Sequence, residues 1–238
     1  MTKTIITGGS GRFGKVLKLK NYSNFIFPTK KQLNITSLKS INTYFKKVKP
    51  KIIIHLAGLS RPLDQHESQI SKSILLNIVG TCNLVMMCQK FNIKIIYFSS
   101  SYVYPGIKGN YKETDAILPS NNYSWSKLGG EAAVQMYKNS LIMRVCMTER
   151  PFVHKKAFGD VQLNFMFHDE VANILPQLIK LKGIINVGGK TQSIYKFAKK
   201  FNPRVKKISV KKIKNVNFPK KMTMNLLKLN KLLKKIDN

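Results

Sequence analysis

Six short apolar runs rich in β-branched residues, at 4–7, 25–27, 52–57, 93–99, 141–145 and 184–187, are separated by segments whose apolar residues recur at helical spacing. A run that is apolar at successive positions suits a strand buried on both faces. The intervening patterns, at 13–20, 38–48, 70–91, 123–137 and 169–181, read as helices. Strand and helix in alternation build βαβ units, whose right-handed crossovers make neighbouring strands parallel. The chain is therefore expected to fold as α/β, a doubly wound parallel sheet of the Rossmann type. Pro28 and Pro50 punctuate strand boundaries.

Where ligand chemistry would sit follows from that topology, because open α/β sheets bind at the carboxyl ends of their strands. The first run leads directly into Thr7-Gly8-Gly9-Ser10-Gly11-Arg12-Phe13-Gly14, with Gly8, Gly11 and Gly14 spaced GxxGxxG. Strand, glycine turn and helix start let a pyrophosphate approach backbone N–H groups at the positive end of a helix dipole. Gly8, Ser10, Gly11, Arg12, Phe13 and Gly14 are thus expected to bind a dinucleotide. The second run ends without the acid that would hold an NAD ribose; Pro28-Thr29-Lys30-Lys31 follows, and Arg12 lies in the glycine loop. Cations there favour NADP over NAD. The third run closes on His55-Leu56-Ala57-Gly58, small residues against which a flat ring could lie, with His55 read as a structural histidine. The fourth delivers Ser99-Ser100-Ser101.

Tyr123 and Lys127, in Tyr-Ser-Trp-Ser-Lys, are four residues apart and so share one helix face. A buried ammonium beside a phenol lowers a pKa that starts near ~10, toward the range useful for acid-base work. Pro119-Ser120-Asn121-Asn122 ahead of them is expected to form a turn and cap.

Composition removes several alternatives. The net charge of +32 points to a polyanion, but only five of 42 basic residues are Arg, the residue favoured for reading bases and gripping phosphates. The lysines are spread along the chain, so no specific nucleic-acid site is expected. Cys82, Cys88 and Cys146 have neither disulfide nor zinc spacing and read as core residues, and no metal is expected. The apolar stretch 74–91 is broken by Asn77, Asn83, Gln89 and Lys90, and reads as a buried soluble helix rather than a membrane span. The opening residues carry no secretory leader pattern, so a cytoplasmic location is expected.

With these parts in order, the chain resembles the extended short-chain dehydrogenase/reductase family of nucleotide-sugar enzymes. The likeness rests on TGGSGRFG at 7–14, HLAG at 55–58, Asn77 with Gly80-Thr81, FSSSYVYPG at 98–106, YSWSK at 123–127, FHDEVA at 167–172 and INVGG at 185–189. Within that family, Ser-Ser-Ser-Tyr-Val-Tyr is most similar to a run in the dTDP-4-dehydrorhamnose reductases. The resemblance implies catalytic Tyr123, Lys127 and Ser100, with Ser101 the alternate for the carbonyl-binding hydroxyl. It also implies cofactor contacts at Leu56, Ala57, Gly58, Asn77, Tyr123 and Lys127. It further implies reduction of the 4-keto group of a nucleotide-linked deoxysugar. The competing readings are a C4 epimerase that retains NAD, and a non-catalytic dinucleotide sensor or nucleic-acid binder. Residues 1–145, with 167–187 returning, would form the dinucleotide-binding domain. Residues 146–166 and 188–238 would form a small C-terminal substrate-binding lobe, in which Arg150, His154, Lys155 and Lys156 could meet a diphosphate and Phe218-Pro219 resembles the family's closing segment. A homodimer is also expected.

Overall fold

The structure is a computed structural model, described for residues 2–212 and 219–234; Phe218 of the Phe218-Pro219 segment lies outside the described residues. Six parallel strands form the central sheet: β1 (Thr4–Thr7), β2 (Phe25–Ile26), β3 (Ile52–His55), β4 (Lys94–Ser100), β5 (Ser140–Val145) and β6 (Gly183–Val187). Their spatial order is β6-β5-β4-β3-β1-β2, so chain order reverses between β1 and β3. That is the topological switch point at which such sheets open a crevice. Every expected strand is present within one to two residues of its reading.

Register follows from the apolar runs. Ile5 pairs with Ile53 and Ile53 with Ile95, while Ile6, Ile54 and Ile96 form the next row, all of them fully buried. Successive side chains point to opposite faces, so both faces of the sheet are covered. On one face, Ile5, Ile53, Ile95 and Ile142 join Ile41 and Phe45 of α2 (Leu38–Val48), together with Leu84 and Cys88. The last full row, Thr7, His55 and Tyr97, shares that parity and face. On the other face Phe13 and Leu17 of α1 (Arg12–Leu19) are buried, with the Phe13 ring 5.1 Å from that of Phe98.

After β3 the chain makes a single turn, α3 (Gln65–Ser68), then a long helical stretch composed of α4 (Ile70–Ser73), a π-helical segment (Ile74–Val79) and α5 (Gly80–Lys90). This stretch departs from expectation, since only a third of it is buried. Ile70, Ile74, Leu75, Val79 and Met86 are exposed, whereas Asn77, Thr81 and Asn83 are buried. The reversal has a hydrogen-bonding cause: Asn77 and Asn83 donate inward to the carbonyls of Leu59 and Ile35, and Thr81 donates to Asn77 O. By length and composition alone the stretch could cross a membrane; its inward-facing polar residues suit a protein interior better than lipid. The next helix, α6 (Asn122–Gln135), is capped by Asn121, whose side chain accepts from Ser124 N.

The chain divides into two compact units. The first comprises 1–99, 121–143 and 178–184, and holds the switch point, α1 to α6 and the core just described. The second comprises 100–120, 144–177 and 185–238, so 100–120, 144–145, 167–177 and 185–187 group differently from the expected domain boundaries. The segment after β4 belongs there because Tyr111 N donates to Thr223 O and Asn225 N to Tyr111 O. This unit also contains most of α7 (His168–Leu178), three two-stranded pairings and a polar knot. In the knot, Arg144 donates to the Tyr104 hydroxyl at 2.8 Å and Asn186 Nδ2 to Tyr111 O at 2.9 Å. Cys88 and Cys146 are buried and Cys82 half-buried. Burial pushes the Cys146 thiol up to about 12.

Candidate active site

The first unit gathers the glycine loop, the end of β3, the π-helical turn and α6. Gly8 follows β1 with φ +73°, a conformation side chains rarely adopt, and a Cβ there would lie 2.6 Å from Ala57 N. A Cβ on Gly14 would lie 2.5 Å from Gly8 O. Bare backbone therefore meets bare backbone, and the loop forms a cradle that larger residues would fill. Gly11 N donates to Gly8 O, and Gly11 opens α1 with no side-chain cap and no acid in the first turn. Such a helix start suits an anion. Ser10 and Arg12 are exposed, and Arg12 Nη2 donates to Ser60 Oγ at 3.1 Å. The buried Phe13 ring is a core anchor, so it offers a ligand its backbone alone. Beyond β2, Lys30 and Lys31 are exposed and Lys18 Nζ lies 5.5 Å from the Phe27 ring centre.

His55 is structural, as its position suggested, and its partners fix its tautomer. Thr81 Oγ1 spends its hydrogen on Asn77 O, so it accepts from His55 Nε2–H at 3.0 Å. Nδ1 then accepts from Thr7 Oγ1 at 2.8 Å, and Thr7 Oγ1 in turn accepts from Leu56 N and Ala57 N at 3.2 Å each. Burial, helped by the charge of Lys127, pulls the imidazole down to about 3, so a neutral ring pins the glycine loop, the small-residue segment 56–58 and the π-helical turn. A Cβ on Gly58 would lie 2.6 Å from Asn77 Oδ1. The Asn77 amide clamps this segment: Oδ1 accepts from Leu59 N at 2.7 Å, and Nδ2 donates to Leu59 O and to Ser126 Oγ at 2.9 and 2.8 Å. Those bonds occupy the amide and tie segment 58–59 to the π-helical turn and α6.

Along α6, Tyr123, Lys127 and Glu131 form a stripe at four-residue intervals. Tyr123 is half-buried, with its ring edge-to-face with His66 at 5.2 Å. Lys127 is also half-buried as a residue, but its ammonium is tucked over the Tyr97 ring, 4.2 Å from the centroid. Burial pulls the ammonium down to about 7, and the Glu131 carboxylate acts to hold it up. The Tyr97 hydroxyl donates to Lys127 O at 3.0 Å, fastening that turn to β4. Two residues went unforeseen. Glu131, 2% exposed, accepts from Ser99 Oγ at 2.5 Å; its four-residue spacing from Lys127 was the available signal. His66 is fully buried, with Nδ1 2.7 Å from Ser73 Oγ and Nε2 without a partner; nothing in its local sequence pointed to it.

Ser100, the last residue of β4, falls in the second unit, where it is buried and its Oγ accepts from Tyr102 N at 3.2 Å. Ser101 is fully buried, with its hydroxyl beside the Cys146 thiol. Of the residues expected to meet a diphosphate, Arg150 stacks its guanidinium on the Phe167 ring at 3.9 Å and pairs with Asp169 at 3.5 Å. His154 packs edge-to-face on Phe152, and Lys155 and Lys156 are exposed.

Comparison with known proteins bears on this geometry. A model of the RmlD substrate binding domain family matches residues 2–161. The dTDP-4-dehydrorhamnose reductase of Aggregatibacter actinomycetemcomitans is 30% identical over 172 residues, 70% of this chain and 55% of the relative. The methionine adenosyltransferase 2 subunit beta of Xenopus laevis is 32% identical over 154 residues, 60% of this chain and 46% of the relative. The chain thus spans about half the length of the curated relatives it matches. Among solved structures, the Bacillus anthracis dTDP-4-dehydrorhamnose reductase in complex with NADP superposes with a TM-score of 0.85 at 23% identity, covering 97% of this chain and 91% of that one.

Proposed function

We propose, from the premise that the chain belongs to the RmlD substrate binding domain family of extended short-chain dehydrogenase/reductases, that it reduces the 4-keto group of a nucleotide-linked deoxysugar with a nicotinamide cofactor. The observation that carries the proposal is the gathering, in one compact unit, of an uncapped glycine cradle, a small-residue strand end and a helix presenting Tyr123 with Lys127. The cradle fits a dinucleotide: added side chains at Gly8, Gly14 and Gly58 would collide with backbone or with Asn77. Gly8, Ser10, Gly11, Arg12 and Gly14 would hold the pyrophosphate, Leu56, Ala57 and Gly58 the adenosine side, and Lys127 the nicotinamide ribose. Lys30, Lys31 and Arg12, with no acid after β2, favour NADP, the cofactor in the superposed Bacillus anthracis enzyme.

When bound, the reduced nicotinamide supplies a hydride to the carbonyl carbon. Tyr123 gives its phenolic proton to the carbonyl oxygen, and the Ser100 hydroxyl donates a hydrogen bond to that oxygen as its charge grows. Lys127, as an ammonium, lowers the cost of the phenolate left on Tyr123. We place the protein in the cytoplasm as a homodimer, paired through the exposed apolar face of 70–90. Incubation of the purified protein with a panel of 4-keto nucleotide sugars and NADPH or NADH tests the reaction: consumption of reduced cofactor supports it, and inertness with the whole panel refutes it.

A further inference from the structure

Glu131 is a buried carboxylate to which the proposed chemistry gives no task. It is 2% exposed, lies one helical turn beyond Lys127, and accepts a hydrogen bond from Ser99 Oγ at 2.5 Å. A charge so placed is costly unless it is paired. Several groups surround it and Lys127. Tyr123 shares their helix, Tyr97 and Ser99 come from β4, His55 from β3 and His66 from α3.

None of these neighbours balances the carboxylate except Lys127. His55 is pulled down by burial and then by the Lys127 charge, and His66 by burial and Lys127 against the opposing pull of the Glu67 carboxylate, so both rings are neutral near pH 7. Tyr97 is raised well above the usual phenol value by burial and then by Glu131 and Tyr123, so it stays a neutral phenol. Its ring lies under the ammonium at 4.2 Å, and its hydroxyl is committed to Lys127 O. Lys127 and Glu131 are therefore the two opposite charges of one desolvated pocket, and Ser99 fixes the position of the negative one.

We propose that Glu131 is a positioning residue for the Tyr123/Lys127 pair: anchored by Ser99, it keeps the Lys127 side chain an ammonium seated on the Tyr97 ring. Its importance for catalysis rests on the reading of Tyr123 and Lys127 as the reacting pair. The charge coupling itself is a property of the protein without ligand.

The test uses that independence. Urea unfolding of the full chain across pH 5 to 10 is compared for wild type, Glu131→Gln, Glu131→Asp and Lys127→Met. Lys127 binds its proton less tightly folded than unfolded, so the unfolded chain holds more protons above pH about 7 and stability climbs there. Lys127→Met should lose that part of the climb. In Glu131→Gln the climb should begin about one pH unit lower or more, a tenfold weaker hold on the proton, and in Glu131→Asp by less. Where Glu131→Gln does not fold, Glu131→Asp carries the comparison. An onset in both Glu131 variants equal to that of wild type, or a climb unchanged in Lys127→Met, overturns the proposal. A protein that shows the shift yet turns over no keto sugar upholds the coupling and refutes the reductase reading instead.

Discussion

Lys127 and His55 show how one pocket treats two cationic side chains. Both are penalised by burial, but Lys127 has Glu131 to hold its charge whereas His55 has hydroxyl partners that suit a neutral ring. If reduction needs the Lys127 ammonium, kcat/KM for keto-sugar reduction should be highest below pH about 7 and fall as pH rises through that value; a profile flat from pH 6 to 9 would separate Lys127 from the reacting state. For His55 the sign is the opposite of a stabilising charge. The folded value of about 3 lies below the unfolded 6.5, so the unfolded chain binds the extra proton between them and stability falls as pH drops from 6.5 toward 3. Removing the ring with His55→Gln should flatten that fall by about one proton, read from unfolding midpoints. An unchanged slope would show that the ring is charged in the native protein.

At the scale of elements, the site is held by short segments tied together through side chains. The glycine cradle should tolerate almost nothing: Gly8→Ala places a Cβ 2.6 Å from Ala57 N at φ +73°. It should cost roughly 1–3 kcal/mol in stability and weaken NADPH binding at least about tenfold. Fluorescence titration and thermal unfolding check this, and wild-type affinity in Gly8→Ala would show that the cradle is not the pyrophosphate site. Much of this element plan was legible, because β1 to β6 are apolar runs whose burial on both faces leaves little choice of structure, and because Asn121 is an ordinary helix cap. The long stretch 70–90 was misread in its burial. Its pattern gave a helix, but Asn77, Thr81 and Asn83 turn inward to satisfy backbone carbonyls, and hydropathy cannot register a polar residue whose partner is a distant carbonyl. His66 and Glu131 were missed for a related reason, since each draws its meaning from groups brought near by the sheet register.

For the whole molecule, the division into units differs from the domain plan because residues 100–120 are stitched by backbone hydrogen bonds to 223–225, a pairing more than a hundred residues apart that no local pattern announces. The exposed Ile70, Ile74, Leu75, Val79 and Met86 form an apolar face that a soluble chain would cover. Light scattering should report a dimer, and Val79→Glu should shift it to monomer; a monomeric wild type would remove the dimer from the account. The high positive charge, carried mostly by dispersed lysines, suits attraction of the diphosphate-bearing substrate proposed above. In the proposed reaction Tyr123 protonates a sugar carbonyl while the nicotinamide reduces it. Its most direct measurement is NADPH consumption with a 4-keto dTDP-deoxysugar by wild type and by Tyr123→Phe, alongside NADPH binding by both. Turnover by wild type, reduced about 10²- to 10⁴-fold in Tyr123→Phe with cofactor affinity retained, is the predicted result; equal turnover by the two proteins would contradict it.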